Sequence, residues 1–304
     1  MRKNVGPADM TMDDPFDAQT NVDRRVFLVG CPRSGTTILQ RCISSHSRVT
    51  SFPETDFFAK LIGRRKGLAL ARINRIGGDR SRRAWGKMEQ VFGGYGFPDE
   101  LSNCRSLAET VGKYTAFLDS IACSRGCDRW LEKTPRHFRY VDLIARLVPS
   151  SVFVHVVRDG RAVVGSIVDR AICYPERFGS ERDAVQAAGL WNEAIQRTAE
   201  RVRRSDDLIV HYEEFVERPD NALRDICKKI GVEYEPEMVS GQPDGKITES
   251  GESWKDSVHL GVVNMKDKFD EVLAENERHL VSRVLDWSTY RHLQNLRGSR
   301  ERTT

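Results

Sequence analysis

A loop bracketed by two glycines, Gly30-Cys31-Pro32-Arg33-Ser34-Gly35, runs directly into Thr36 and Thr37. Before it stands a short apolar run, Arg25 to Gly30 (RVFLVG), and after it the helical pattern TTILQRCISS, Thr36 to Ser45. An apolar run of this length suits a strand buried on both faces, as in a parallel sheet. Strand, loop and helix in this order form the first half of a βαβ unit. Glycines at this spacing let backbone N–H groups converge on an anion, and the helix N-terminus adds a favourable dipole. The spacing is that of the nucleotide loop G-x-x-x-x-G-K-[ST], with Thr36 where the lysine would stand. In ATPases and kinases that lysine reaches the β- and γ-phosphates. Here the cation is Arg33, inside the loop, which suits one phosphate in the loop and a second anionic group beyond it.

The same alternation recurs along the chain. Ser151 to Val157 (SVFVHVV) reads as a strand, Arg158 to Gly160 as a turn and Arg161 to Arg170 as a helix. Asp207 to Tyr212 is a third strand, followed by a helix from Pro219 to Ile230 with Pro at its start and Gly231 past its end. Glu181 to Arg204 forms a long amphipathic helix between them. Strands alternating with helices define an α/β class: one domain, 24–295, with a central, mostly parallel sheet flanked by helices. Residues 1–23 lack periodicity and read as a mobile arm, and 296–304 as a polar tail.

Composition sets the outer limits. Lys and Arg total 48 against 44 Asp and Glu, a net charge of +4, too even for a polyelectrolyte-driven nucleic-acid binder. With 39% hydrophobic residues the chain can bury a sizeable core, which excludes global disorder. No apolar run has the length of a membrane span, and the aspartate-rich start is no secretory signal. Seven scattered cysteines argue reduced thiols and a cytoplasmic enzyme. Cys123 and Cys127 lack a second ligand pair, so no metal is expected.

The stretch VFLVGCPRSGTTILQ resembles the 5′-phosphosulfate loop of sulfotransferases that use 3′-phosphoadenosine-5′-phosphosulfate (PAPS). It is most similar to the branch holding tyrosylprotein sulfotransferases and related bacterial enzymes. A second stretch, HVVRDGRAVVGSIV from His155 to Val168, resembles the family's 3′-phosphate site, with Arg158 at the strand end and Ser166 eight residues on. The resemblance implies a P-loop-kinase-like sulfotransferase fold, PAPS as sulfuryl donor and no metal. Arg33, Ser34, Gly35, Thr36 and Thr37 would hold the 5′-phosphosulfate, and Arg158 and Ser166 the 3′-phosphate. Arg158 also makes sense unaided, since a strand's carboxyl end is where α/β sheets bind ligands and Arg offers a fork matched to phosphate. The alternative for it is a salt bridge to Asp159 or Asp142.

Sulfuryl transfer to a hydroxyl needs a base, cations for the bridging oxygen and an in-line nucleophile. Glu54 in SFPETDFF, 21 residues after Arg33, matches the glutamate that serves as base in the tyrosylprotein branch. Desolvation by Phe52 and Pro53 would raise its pKa. The alternative is a carboxylate at the N-terminus of the helix DFFAKLI, and Asp56 is its neighbouring competitor. Lys133 in LEKTPRHF resembles the family lysine on the transferred group, working with Arg33. Pro135 stands where small-molecule sulfotransferases place a histidine, leaving His137 as the fallback base, while His46, His155 and His211 read as structural. Tyr212 resembles the tyrosine near the nucleotide or is simply a buried tyrosine. Lys268, or Lys266, resembles a late-loop lysine over the cofactor phosphates.

Residues 59–128 carry no motif on which the resemblance rests. From Arg64 to Lys87 nine basic residues face one acid, Asp79. That is a solvated helix face, or a surface for an acidic acceptor, whether a peptide, a glycan or another small molecule with a hydroxyl. Without interleaved aromatics it is no nucleic-acid site. The rival functions are a Mg-ATP-dependent small-molecule kinase and a catalytically degenerate nucleotide-binding protein.

Overall fold

The computed structural model describes residues 21–63, 65–77, 79–93, 97, 99–240 and 267–300. Five strands, β1 (Arg24–Gly30), β2 (Val49–Ser51), β3 (Arg129–Lys133), β4 (Ser151–Val157) and β5 (Leu208–His211), form one sheet in the order β2-β3-β1-β4-β5. Every pairing is parallel, with Phe27 opposite Glu132 on one side and Phe153 on the other. Along β1 the side chains alternate between two cores. Phe27 and Val29 join the cluster of Trp130, Phe153 and Trp191, whereas Val26 and Leu28 join that of Leu131, Val154 and Ile226. The apolar run Arg25 to Gly30 predicts a strand buried on both faces, and the central strands are covered on both sides.

Two central elements match their expected bounds: β4 is Ser151–Val157, and the helix Pro219–Ile230 ends at Gly231 in left-handed backbone, φ 73°. Others shift slightly. The helix after the loop is Thr36–Ser44, the next Gly160–Cys173 and the long amphipathic one Ala184–Val202. Tyr212, expected at the end of a strand, opens the helix Tyr212–Glu217 instead.

Described residues at both domain margins pack on the core. Of the arm, Val22 is buried, and the Asp23 N–H donates to the Asp128 carbonyl at 2.8 Å; residues 1–20 lie outside the described residues. At the other end the helix Trp287–Arg300 runs through the 296 boundary. Tyr290, Leu293 and Leu296, three residues apart on one helical face, pack on the core and carry the helix past that point.

Residues 59–128, unread by motif, supply a helical layer between β2 and β3 that includes Arg80–Val91 and Leu107–Ser124. Its aromatic interior meets the segment that follows β2: Phe57 stacks on Tyr114 at 4.0 Å and lies edge-on to Trp85 at 5.5 Å. The basic run mostly faces solvent, as for Arg72, Arg75, Arg82 and Arg83. Arg64 lies outside the described residues.

One buried ion pair ties this layer to the sheet. Arg25 Nε and Nη2 donate to both oxygens of Asp119, at 3.0 and 2.5 Å, and Trp130 Nε1 donates to the same carboxylate at 2.6 Å. The two charged side chains are 12% and 4% exposed. Removing one partner of a buried pair costs about 3–5 kcal/mol because the other charge is left uncompensated. Asp119→Ala is therefore expected to lower unfolding free energy by that amount in a denaturant titration. A loss below about 1 kcal/mol would place the pair among weak surface bridges.

Candidate active site

The loop between β1 and the helix Thr36–Ser44 takes its shape from two left-handed residues. Gly35 has φ 92°, and a Cβ there would stand 2.2 Å from the Tyr212 ring. Arg33 has φ 72° without glycine's freedom, a strained conformation of the kind that gathers at functional sites. Its contacts hold it. The Arg33 carbonyl accepts from Arg158 Nη1 at 3.2 Å, and Arg33 Nε donates to Ser166 Oγ at 3.1 Å. The two sequence motifs, some 125 residues apart, therefore meet on one residue.

Arg158 lies at the carboxyl end of β4 and is nearly buried, its guanidinium 4.2 Å from the centre of the Tyr212 ring. The anticipated salt bridges are not what hold it. Asp142 pairs with Arg201 and Arg204, and Asp159 caps the helix Gly160–Cys173 by accepting from the Arg161 and Ala162 N–H groups. Burial, then the nearby charges of Arg170 and Arg158, pull the Arg33 guanidinium down to about 10. It stays cationic at neutral pH, so an anion between these arginines would relieve their mutual repulsion.

Other features fit such an anion. Gly35 offers no side-chain cap, so the first-turn N–H groups of the helix Thr36–Ser44 are left without a capping oxygen. Ser34 Oγ and Arg170 Nε are buried without a hydrogen-bond partner. The residues present thus fit a phosphate or phosphosulfate. Lys268 arrives by a different route. Phe269 packs so closely on Gly165 that a Cβ would lie 2.6 Å from its nitrogen, and Lys268 Nζ then donates to Asp169 at 2.7 Å. That places it one turn beyond Ser166 with its charge engaged, while Lys266 lies outside the described residues.

Beside the loop opens a cleft of about 200 Å³ lined by Arg33, Thr36, Thr37, Glu54, Asp56 and Lys87, together with Arg136, Arg170, Arg177 and Glu181. Lys133, fully buried at the end of β3, touches two of the lining residues. Its Nζ donates to Glu54 Oε1 at 2.5 Å and to Thr37 Oγ1 at 3.3 Å. Glu54, Lys133 and the phosphate loop are thereby brought together.

The environment of Glu54 differs from the desolvated one expected. Phe52 turns inward onto Phe92 and Trp130, and the Glu54 side chain is 26% exposed and held by Lys133. Nor does it sit in the first turn of a helix, which begins at Phe57. Burial, then the charge of Glu54, raises the pKa of the neighbouring Asp56. His137 is removed from the cleft: fully buried, its Nδ1–H donates to Glu132 Oε2 at 3.0 Å. His46 and His155 are structural, donating to the Glu233 carbonyl and bridging Thr198 with Asp207. Cys31 lies in the loop, but burial pushes its thiol up to about 12, which leaves it inert at neutral pH.

Sequence reasoning missed Glu132, Thr55, Thr134 and the wall of Arg136, Arg170, Arg177 and Glu181. The signal for the first three was their adjacency to Lys133 and Glu54. The wall had none. Among the described residues no cluster of three or more ligating side chains could hold a metal ion, and no helix is long and apolar enough to cross a membrane.

Comparisons with known proteins identify the family and the fold. Residues 25–236 match the model of the sulfotransferase family. The chain is 26% identical over 258 residues to protein-tyrosine sulfotransferase 2 of Gallus gallus, covering 79% of this chain and 61% of that one. It is 24% identical over 220 residues to protein-tyrosine sulfotransferase A of Caenorhabditis elegans (70% and 51%). It is 26% identical over 229 residues to nodulation protein NoeE of Sinorhizobium fredii (69% and 50%). The chain thus spans about half to three-fifths of the length of these relatives. Among solved structures, the sulfotransferase domain of the Synechococcus PCC 7002 olefin synthase shares the fold. Its TM-score is 0.57 at 18% identity, over 87% of this chain and 95% of that one. The sulfotransferase domain of the curacin biosynthetic pathway follows at 0.51 and 17%, over 86% and 96%. The chain belongs to the sulfotransferase family, enzymes that move a sulfuryl group.

Asp56 makes the site's pH dependence testable. A carboxyl whose pKa is raised by folding stabilises the fold fully below its ordinary value of 3.8 and loses that contribution as pH rises through the raised value. Asp56→Asn is expected to melt above the wild type near pH 8, with the gap closing below about pH 4. A gap that instead widens on acidification would contradict a raised pKa.

Proposed function

We propose that this chain transfers the sulfuryl group of PAPS to an acceptor hydroxyl, with Glu54 as base and no metal ion. The observation that carries the reading is the Lys133 ammonium, shared between Glu54 and Thr37 of the phosphate loop. It sets a proton acceptor and a cation side by side where a group held by the loop would meet an acceptor. PAPS, when bound, supplies a sulfuryl already activated on a phosphate. The chain's own residues do the rest. Backbone N–H groups of Arg33 to Thr37 bind the 5′ end, and Arg158 and Ser166 bind the 3′-phosphate. Glu54 takes the acceptor's proton, while Lys133 and Arg33 neutralise the charge left on the departing phosphate oxygen.

The cleft also bears on the acceptor. Five basic side chains line it against three acids, Glu54, Asp56 and Glu181, so an anionic acceptor is favoured. A tyrosine in an acidic peptide meets that requirement, and the named activity of the protein-tyrosine sulfotransferase relatives supports it. A cytoplasmic site of action belongs to the same proposal, supported by seven cysteines that all carry free thiols.

Thermal unfolding tests the donor. 3′-Phosphoadenosine-5′-phosphate at a hundred times its dissociation constant adds about 2.7 kcal/mol and raises the midpoint by several degrees. That shift should largely disappear in Arg158→Ala, which forfeits about 1.5–3 kcal/mol of charge-assisted hydrogen bonding. A shift with Mg-ATP alone would favour the kinase, and a shift with neither ligand the degenerate binder. Glu54→Gln tests the base. Turnover of PAPS with an acidic tyrosine peptide should fall about 10²–10⁴-fold while bisphosphate binding persists. Normal turnover in that variant would end the assignment.

A further inference from the structure

We propose that Glu132 is a positioning residue for the reaction: through Thr55 and Thr134 it sets the loop that carries Glu54. The inference rests on the reading of Glu54 as the base. Glu132 is fully buried in β3, the last place a carboxylate would be put for stability alone. Four donors surround it. Thr55 gives its hydroxyl at 2.9 Å and its backbone N–H at 3.4 Å, Thr134 its hydroxyl at 2.5 Å, and His137 its Nδ1–H at 3.0 Å. Burial pushes the Glu132 carboxyl up, but the His137 ring and the two threonine hydroxyls outweigh it and hold its pKa low.

What this cluster grips is the backbone next to Glu54. Glu54 and Asp56 flank Thr55 in a segment with no regular secondary structure, and Asp56 is left-handed at φ 48°. Three successive amides are captured there. The Thr55 N–H goes to Glu132, the Asp56 N–H to Thr134 Oγ1 at 3.2 Å, and the Phe57 N–H to Thr55 Oγ1 at 3.3 Å. Such over-determination is what lets a strained residue persist.

The alternation of a strand explains the economy of the device. Successive side chains point to opposite sides. Glu132 and Thr134 share one side and hold the loop's backbone, while Lys133 between them reaches the Glu54 carboxylate and Thr37. One tripeptide therefore fixes both the direction of the base and its distance from the phosphate loop. Proton transfer depends steeply on that geometry.

Because Glu132 variants could fail to fold, Thr55 is the better probe. Thr55→Val keeps the shape and removes the hydroxyl, whereas Thr55→Ser keeps the hydroxyl. The readout is release of 3′-phosphoadenosine-5′-phosphate from PAPS, with an acidic tyrosine peptide as acceptor and with water in its place. The bisphosphate Kd is measured alongside. Thr55→Val should lower kcat at least tenfold with Kd within twofold of wild type, and Thr55→Ser should restore most of the rate. In a Glu54→Gln background Thr55→Val should change kcat less than twofold, since the group it positions is gone. Should Thr55→Val not fold, Thr134→Val, which removes the partner of the Asp56 amide, takes its place in the same comparison. Wild-type kcat in Thr55→Val beside a slow Glu54→Gln would overturn the positioning role alone. So would losses that simply multiply in the double variant. Normal turnover in Glu54→Gln would overturn the base assignment, and the positioning role with it.

Discussion

Arg33 occupies left-handed backbone, and contacts from the second motif keep it there: Arg158 on its carbonyl and Ser166 on its side chain. Around that residue the loop, the end of β4 and the helix Gly160–Cys173 become one rigid corner. The Tyr212 ring closes the corner from below, lying against both Gly35 and Arg158. Burial, with the positive charges of Arg170 and Arg158, lowers the Arg33 pKa there against the opposing pull of Asp169 and Glu54. An anionic donor would complete the corner by supplying what the fold withholds.

The reacting side is built on a different principle. There the carboxylate and the ammonium are already paired, and their placement comes from neighbours in the sequence: Thr55 beside Glu54, Glu132 and Thr134 on either side of Lys133. A buried carboxylate in a central strand is an expense that an apolar residue would spare. It is met by four donors, and what it secures is a loop that no helix or strand would otherwise hold. The aromatic layer of residues 59–128 supports the same loop from behind, through Phe57 and Phe58 against Tyr114.

Legibility varied with the kind of physics involved. The strands β1 and β4 and the helix Pro219–Ile230 could be read because apolar runs, Pro at the start and Gly at the end act locally. The strand β3 could not. Arg129, Glu132 and Lys133 make RWLEK look like a surface segment, yet all five residues are buried. Each charge has at least one partner from far away in the chain. Arg129 Nε donates to the Ile230 carbonyl, Glu132 receives Thr55, and Lys133 meets Thr37 and Glu54. A three-residue strand such as β2 carries too few side chains to show a period at all.

The candidate site divides along the same line. The phosphate loop, the second arginine–serine motif, and the glutamate and lysine between them could be picked out as candidates from the amino-acid sequence, because glycine spacing and residue chemistry are properties of short segments. Tertiary structure alone decided that the two motifs converge on Arg33, that Lys133 joins Glu54 to the loop, and that His137 serves Glu132 rather than the cleft. It also raised the pKa of Asp56 and assembled the basic wall of Arg136, Arg170 and Arg177. Burial, distance and partner choice are set by which segments the sheet order brings together, and no local pattern encodes them.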